Sequence, residues 1–268
     1  MSAKIKVDKL QEGLLTKRLG KTILFSREIG STNDWAKELA MYGACEGTVV
    51  IAETQTAGRG RLGREWISPM GGLWFSMILR PEFRPAEAAK LTFVAGLVVA
   101  EVLRETFGLK TETKWPNDVL VNGRKICGIL TEMNTTGEIV NSVVVGIGVN
   151  ANFDVEEVFP ESLRKAATSL ENELGRKAGL EELFKALLER LESFYEQFVR
   201  EGFIPVLEEW KKHAGFLGRQ VEVTSLTEKF SGLALDVDHD GALILRLEDG
   251  TVKRVFVGDV SLRMSRVV

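Results

Sequence analysis

The dipeptide Asn122-Gly123 constrains the fold of this chain more than any other sequence feature. It separates the β-prone run 119–121 from the run 125–132, and Asn-Gly in that position is the strongest short-range signal for a hairpin with a type I′ turn. A further apolar run over 139–147 predicts another buried strand. Because strands joined by a hairpin pair antiparallel, we expect a sheet with antiparallel pairing.

Strand-like and helix-like patterns alternate over the first 214 residues. Short β-branched or alternating runs predict strands at residues 22–25, 47–53 and 73–79. Apolar residues at helical spacing predict helices at residues 34–41, 85–107, 180–200 and 204–212, with 85–107 as one long amphipathic helix. Sheet and helices are therefore expected to share one layered architecture.

The character of the sequence changes after Gly215. Short alternating runs joined by Asp240-Gly241 and Asp249-Gly250 turns predict a small five-stranded barrel. We therefore predict three parts: a charged, irregular N-terminal tail over 1–21, one large domain over 22–214, and the C-terminal barrel over 215–268.

Composition excludes several classes of protein. A chain of 268 residues that is 44% hydrophobic can bury a large core, and a net charge of −3 argues against a surface built to bind nucleic acid. Two cysteines, Cys45 and Cys127, and two histidines, His213 and His239, are too few for a zinc cluster or a disulfide framework. No apolar run approaches the ~20 residues of a membrane span, and no signal peptide is evident, so a cytoplasmic protein without membrane contact is expected.

A glycine-rich segment with three arginines is the first candidate binding site. Residues 58–63 satisfy the G-x-G-x-x-G pattern, but Pro69 and Gly71-Gly72 follow where a dinucleotide-binding turn needs a helix. Arg59, Arg61 and Arg64 lie within six residues, and unpaired like charges this close repel one another, so the loop should be ordered best around an anion. The alternative is a solvated basic turn.

A lysine and acid cluster is the second candidate. The run Lys114-Trp115-Pro116-Asn117-Asp118 is followed, across the Asn122-Gly123 hairpin, by Lys125. The hairpin brings both lysines near Asp118, and two cations with one acid can bind a triphosphate and its Mg²⁺. The alternative is a surface ion pair worth only ~0–1 kcal/mol.

Five motifs in this order carry a resemblance to a known family. They are Ser31-Thr32-Asn33, the arginine-rich segment, residues 114–118, Lys125 and Gly146-Ile147-Gly148-Val149-Asn150. The sequence resembles the biotin protein ligases over roughly residues 22–263. The resemblance implies an α+β fold: a mixed, largely antiparallel sheet with helices, as in class II aminoacyl-tRNA synthetases, followed by a small SH3-like β-barrel.

The resemblance also implies an activity and a set of site residues. It implies adenylation of biotin with MgATP to biotinyl-5′-AMP and transfer of biotin to a lysine of a biotin carboxyl carrier protein or domain. The implied biotin-binding residues are Ser31, Thr32, Asn33, Gln55, Gly58, Arg59, Gly60, Arg61, Lys125 and Gly128. The implied ATP-binding residues are Arg61, Arg64, Trp66, Lys114, Asn117, Asn150 and Arg263. The implied catalytic residues are Arg59, Lys114, Asp118 and Lys125, with Asp118 also a candidate Mg²⁺ ligand.

Two departures from the family pattern qualify these expectations. Leu62 stands where many relatives have another arginine; either the loop seals the adenylate less tightly or the position is an exposed one without such a role. About 20 residues precede the region of resemblance, so the winged helix of repressor-type members, DNA binding and a transcriptional role are not expected. An exposed sheet edge favours a homodimer. A lipoate protein ligase and a non-catalytic RNA- or protein-binding module are the alternative functions.

Overall fold

The computed structural model describes residues 5–225 and 228–262, which form two β-sheets, nine α-helices and a short 3-10 helix at Arg61–Gly63 within those ranges. The strands of the large sheet are β1 Ile23–Ile29, β2 Val49–Gln55, β3 Leu73–Leu79, β4 Thr111–Lys114, β5 Asp118–Val121, β6 Arg124–Thr136 and β7 Ile139–Val149. The helices are α1 Val7–Gln11, α2 Thr32–Met41, α3 Pro85–Ala89, α4 Leu91–Phe107, α5 Val155–Val158, α6 Glu161–Arg164, α7 Leu170–Leu174, α8 Leu180–Glu201 and α9 Phe203–Lys212. Among the described helices, none has the length and hydrophobicity that a bilayer crossing requires.

The large sheet has the mixed, largely antiparallel topology that the family resemblance implies. Its strand order is β1-β2-β3-β7-β6-β5-β4, with only β1 and β2 parallel. Asn122 and Gly123 both have positive φ, 52° and 74°, so the predicted type I′ turn between β5 and β6 is confirmed. Strand β4 was not predicted from the sequence.

The longest predicted helix differs from its prediction in both extent and character, and helices α5, α6 and α7 were not predicted. The predicted single helix over 85–107 is divided at Lys90 into α3 and α4. Helix α4 is not amphipathic, since 11 of its 17 residues are buried. It contacts β6 on one side and α8 and α9 on the other, so nearly its whole circumference faces apolar neighbours.

The described part of the N-terminal segment, residues 5–21, is irregular apart from α1, as predicted, but it packs against the core instead of forming a tail. Leu10 and Leu19 are buried in the main core, and Glu192 on α8 accepts backbone N–H bonds from Lys17, Arg18 and Leu19 at 2.5, 2.6 and 2.9 Å. Burial raises the pKa of Glu192, but these three donors outweigh it and hold the pKa below its ordinary value.

We expect Glu192→Ala to lower the free energy of unfolding by about 2–4 kcal/mol, because three backbone donors lose a charged acceptor. Because the folded pKa is depressed, this stabilisation is present above pH 4.5, the ordinary value, and is lost as pH falls through the folded pKa. Urea denaturation at pH 7 and pH 4 measures both effects. Glu196→Ala on the same helix removes only a pair with Arg18 and should cost less than ~1 kcal/mol; equal costs would contradict the prediction.

The C-terminal residues form a separate five-stranded sheet, as predicted. Its strands are β8 Gln220–Thr224, β9 Lys229–Val237, β10 Leu243–Leu247, β11 Val252–Val255 and β12 Asp259–Leu262, all paired antiparallel in the order β11-β10-β9-β8-β12. The indole Nε1 of buried Trp115 donates to the carbonyl of Gly241 at 3.0 Å, which joins this sheet to the turn between β4 and β5.

Candidate active site

One cavity of about 270 Å³ collects the sequence-predicted residues. Among the predicted site residues that the structure describes, all except Gly58 line this cavity. They are Ser31, Thr32, Asn33, Gln55, Arg59, Gly60, Arg61, Arg64, Trp66, Lys114, Asn117, Asp118, Lys125, Gly128 and Asn150. Gly58 instead supports the loop, because a Cβ there would lie 2.4 Å from the carbonyl oxygen of Trp66. Arg263 lies outside the described residues.

Both lysines converge on Asp118, as the hairpin predicts. Lys125 Nζ lies 2.6 Å from Asp118 Oδ1, and Lys114 Nζ lies 3.1 Å from Oδ2. Burial raises the pKa of Asp118, but the ammonium groups of Lys125 and Lys114 outweigh burial and hold the pKa below its ordinary value. Asp118 is therefore a carboxylate at neutral pH.

The lysine and acid cluster fits a magnesium triphosphate. Asp118 Oδ1 is buried and, apart from the ion pair with Lys125, accepts no aligned hydrogen bond, so it could serve as a metal ligand. Mg²⁺ in nucleotide sites commonly takes one or two carboxylates and completes its shell with phosphate oxygens and water. The two ammonium groups beside it can bind the same phosphates.

The three arginines of the segment 58–64, the arginine loop, are each paired with carboxylates, contrary to the premise that their charges are unpaired. Arg59 Nη2 lies 2.6 Å from Asp34 Oδ1 and 2.8 Å from Glu132 Oε2. Arg61 and Arg64 both pair with Asp259 of the C-terminal sheet. These acids stand far from the loop in sequence, so its local charge density could not reveal them.

Other contacts hold the arginine loop over the cavity. Arg61 Nη1 donates to Asn117 Oδ1 and to the carbonyl of Gly258, both at 3.2 Å. Leu62 has a left-handed backbone, with φ 58°, and its side chain does not line the cavity. A leucine in place of an arginine at this position therefore removes no charge from the cavity wall.

Two facing glycines form a flat floor for the indole of Trp66. Gly128 on β6 lies opposite Gly148 on β7, and a Cβ at Gly148 would come within 2.5 Å of Trp66 Nε1. Lys125 Nζ lies 5.0 Å from the Trp66 ring centroid, within cation–π range. The indole therefore forms one wall beside the lysines because neither strand carries a side chain there.

The opposite end of the cavity is polar and mostly buried. Gln55 Oε1 accepts from the backbone N–H and the hydroxyl of Thr32 at 2.8 and 3.1 Å. Both amide hydrogens of Asn33 are used within the protein, by Leu130 O and Glu132, so Asn33 can offer a ligand only its Oδ1. Near Lys125, Asn150 Oδ1 and Trp66 Nε1 are buried without a hydrogen-bond partner and can bind a polar ligand.

The sequence did not identify several residues of the site. Glu132 and Asp259 pair with the arginine loop, and an apolar wall comes from the α5–α7 region. The wall residues are Phe159, Leu163, Ala166 and Ala167. The strand-like bridge of Ala167 with Lys125 positions this wall. The glycines at alternate positions 146 and 148 could have indicated the cavity, because a buried strand with two small residues on one face leaves room there for other groups.

Comparison with known proteins gives a consistent result. The profile of the Biotin/lipoate A/B protein ligase family matches residues 25–150, and that of the Biotin protein ligase C terminal domain matches residues 216–263. The chain is 37% identical to the Bifunctional ligase/repressor BirA of Bacillus spizizenii, over 97% of this chain and 79% of the relative. It is also 37% identical to the Biotin--[acetyl-CoA-carboxylase] ligase of Paracoccus denitrificans, over 81% of this chain and 90% of that protein.

A solved structure shares the fold. The structure of biotin protein ligase from Aquifex aeolicus in complex with biotin and ATP superposes with a TM-score of 0.78 at 31% identity, covering 91% of this chain and 100% of that one.

Proposed function

The chain belongs to the biotin/lipoate A/B protein ligase family, and on that premise we propose that the cavity described above activates biotin and that the residues named below carry the reaction. The enzyme is a biotin protein ligase that uses ATP with Mg²⁺ and has biotin as its substrate. The observation that carries the assignment of the residues is the convergence of Lys114, Lys125 and the arginine loop on one cavity.

The reaction has two steps. In the first, a biotin carboxylate oxygen attacks the α-phosphorus of ATP, the bond to the β-phosphate oxygen breaks, and pyrophosphate leaves. In the second, the amine of an acceptor lysine attacks the biotinyl carbonyl carbon, loses a proton, and AMP leaves.

Cationic side chains carry the first step. The nucleophile and the triphosphate are both anionic, and Lys114, Lys125 and Arg59 reduce their repulsion and stabilise the charge that develops on the phosphoryl oxygens. Asp118 would hold Mg²⁺, which when bound would further neutralise the triphosphate. Asp118 also holds the two ammonium groups close to each other before the substrates bind.

The two ends of the cavity suit the two substrates. Thr32 and Gln55 offer hydroxyl and amide groups at the buried polar end, which match the donors and acceptors of the biotin ureido ring. Asn150 and the apolar wall from residues 159–167 lie at the other end, where the nucleotide would bind.

The acceptor is a lysine of a carboxylase carrier protein, in keeping with the family. We expect the enzyme to work in the cytoplasm and to pair with a second copy through an edge of the large sheet, where β1 and β4 are the outer strands.

Biotin-dependent exchange of labelled pyrophosphate into ATP tests the assignment of the site. The chain should catalyse exchange with biotin and not with lipoate, and Asp118→Ala should reduce it. Lipoate-dependent exchange would favour a lipoate ligase, and binding without exchange would favour a non-catalytic module.

We expect Arg61→Gly to release biotinyl-5′-AMP from the cavity. The change removes the contacts with Asn117, Gly258 and Asp259 that tether the arginine loop, and an open loop exposes the anhydride to water and to free lysines. Biotin labelling of serum albumin added as a bystander should rise at least about tenfold, which corresponds to the loss of one charged hydrogen bond. Arg27→Gly, at an exposed position on β1, is the control; unchanged bystander labelling by Arg61→Gly would contradict the tether.

A further inference from the structure

One carboxylate oxygen joins the polar end of the cavity to the arginine loop. Glu132 Oε2 accepts from Asn33 Nδ2 at 2.9 Å and from Arg59 Nη2 at 2.8 Å. The other oxygen, Oε1, accepts from Lys37 Nζ at 2.9 Å. Because both contacts share Oε2, the positions of Asn33 and Arg59 depend on one another.

From Asn33 a chain of hydrogen bonds continues beneath the cavity. The hydroxyl of Ser76, which is fully buried, lies 2.6 Å from Asn33 Oδ1 and 2.8 Å from Thr32 Oγ1. Thr32 in turn donates to Gln55 Oε1. The two hydrogen-bonding partners of Ser76 explain why a serine is buried among the large apolar residues of β3.

This series of hydrogen bonds ends at Trp66, on the far side of the arginine loop. Gln55 Nε2 donates to Ser68 Oγ at 2.8 Å, and the Ser68 hydroxyl donates to the carbonyl of Trp66 at 3.0 Å. The backbone N–H of Trp66 donates to the carbonyl of Gly58, which closes the base of the loop. The network therefore begins at Arg59, passes through Thr32 and Gln55, the residues proposed to bind the ureido ring, and returns to the loop at Trp66.

The electrostatics of Glu132 suit this role. Although its partial burial raises the pKa, the hydrogen bonds from Asn33 and Lys37 and the charges of Lys37 and Arg59 outweigh it and hold the pKa below the ordinary value. Glu132 is therefore charged at neutral pH and offers Arg59 a charged hydrogen bond in a half-buried setting, where it is stronger than at the surface.

We propose that Glu132 is a positioning residue that couples occupancy of the biotin pocket to closure of the arginine loop. The inference rests on the proposed function, since it takes biotin as the ligand of Thr32 and Gln55. A ureido ring bound to Thr32 and Gln55 restricts the orientations of the amides and hydroxyls in this hydrogen-bond network. Asn33 and Glu132 then hold Arg59 in one place, so the loop becomes ordered when biotin is bound.

Asp34 provides a matched comparison. It also pairs with Arg59, at 2.6 Å, but its side chain is 52% exposed and its described contacts are with Arg59 and Lys37, not with Asn33. If Glu132 acted only as a counter-charge for Arg59, Asp34→Asn and Glu132→Gln would have similar effects. If the shared oxygen transmits pocket occupancy, only Glu132→Gln should uncouple the pocket from the loop.

Limited digestion by trypsin measures closure directly, because trypsin cleaves after the loop arginines. We expect biotin to slow cleavage of the wild-type loop. In Glu132→Gln the ratio of cleavage rates without and with biotin should fall by about tenfold, in line with the loss of a charged hydrogen bond. By linkage, the biotin affinity measured by calorimetry should fall by no more than the same factor. Asp34→Asn should keep the wild-type ratio.

Ser76→Ala interrupts the same hydrogen-bond network at a different residue. It should reduce the ratio of cleavage rates without and with biotin, as Glu132→Gln does. A wild-type ratio in both Glu132→Gln and Ser76→Ala, or an equal loss in Asp34→Asn, would overturn the role of Glu132 while leaving the ligase assignment intact. Absence of biotin binding by the wild-type chain would overturn both the proposed site and this inference.

Discussion

Replacing Lys125 with alanine should slow biotin-dependent pyrophosphate exchange by at least about ten- to a hundredfold. Lys125 contributes the closer of the two ammonium groups at Asp118 and also lies over the Trp66 ring. A charged hydrogen bond to a phosphoryl or carboxylate oxygen is worth ~1.5–3 kcal/mol, and each ~1.4 kcal/mol of lost transition-state stabilisation slows the step tenfold. The pKa of Asp118 should rise in the variant, because one of the two opposing charges is gone.

Arg124→Ala is the matched control for this change. Arg124 is the neighbouring residue on the same hairpin, but its side chain pairs with Glu173 at 2.7 Å and does not line the cavity. We expect its exchange rate to stay within about twofold of wild type, because neither Arg124 nor Glu173 lines the cavity. Exchange by Lys125→Ala at the rate of this control would remove Lys125 from the proposed reaction.

Gly146→Ala should weaken biotin binding roughly a hundredfold. Gly146 on β7 pairs with Ser76 on one side and Leu130 on the other, and the amide of Asn33 lies across it. A Cβ at this position would lie 1.9 Å from Asn33 Oδ1, so the amide must move. The amide would lose its bonds to Ser76, Leu130 and Glu132, so Asn33 Oδ1 and Thr32 would no longer be held in place for the ligand. Losing two to three ligand hydrogen bonds of ~1 kcal/mol each corresponds to about two powers of ten in affinity.

Calorimetric titration with biotin measures this loss, and Gly96→Ala provides the control. Gly96 is a buried glycine in α4 where a Cβ would make ordinary contacts of 3.6 Å and 3.8 Å with Trp210 and Ile129. Thermal unfolding of both variants separates loss of the pocket from loss of the fold. Wild-type biotin affinity in Gly146→Ala would show that the amide of Asn33 can be displaced without affecting the ligand.

Local patterns predicted the elements that depend on neighbouring residues. The Asn122-Gly123 turn was predictable because positive φ at two successive positions is a local requirement that these residues satisfy. The same turn brings Lys125 back to Asp118, so part of the site could be predicted with it. Strand β4 was missed, because its four residues, Thr-Glu-Thr-Lys, show little hydrophobic alternation and are held by pairing with β5.

Features that depend on distant residues were missed or predicted wrongly. The packing of residues 5–21 requires Glu192 on α8, some 175 positions away, and nothing in the N-terminal segment signals it. The charges of the arginine loop are balanced by Asp34, Glu132 and Asp259, which come from α2, β6 and β12. A charge count over the loop alone therefore suggested that a bound anion was needed, whereas the folded chain supplies the counter-charges itself.

The sequence by itself determined the type of each well-patterned element, the two-sheet organisation and the chemical character of the site, since turn conformations and motif residues are local properties of the chain. Only the tertiary structure decided which acid pairs with which base, and which small residues make room for Asn33 and Trp66. The physical reason is that these pairings and clearances are set by distances of 2–4 Å between groups far apart in sequence, and such distances exist only after the sheet and its helices have packed.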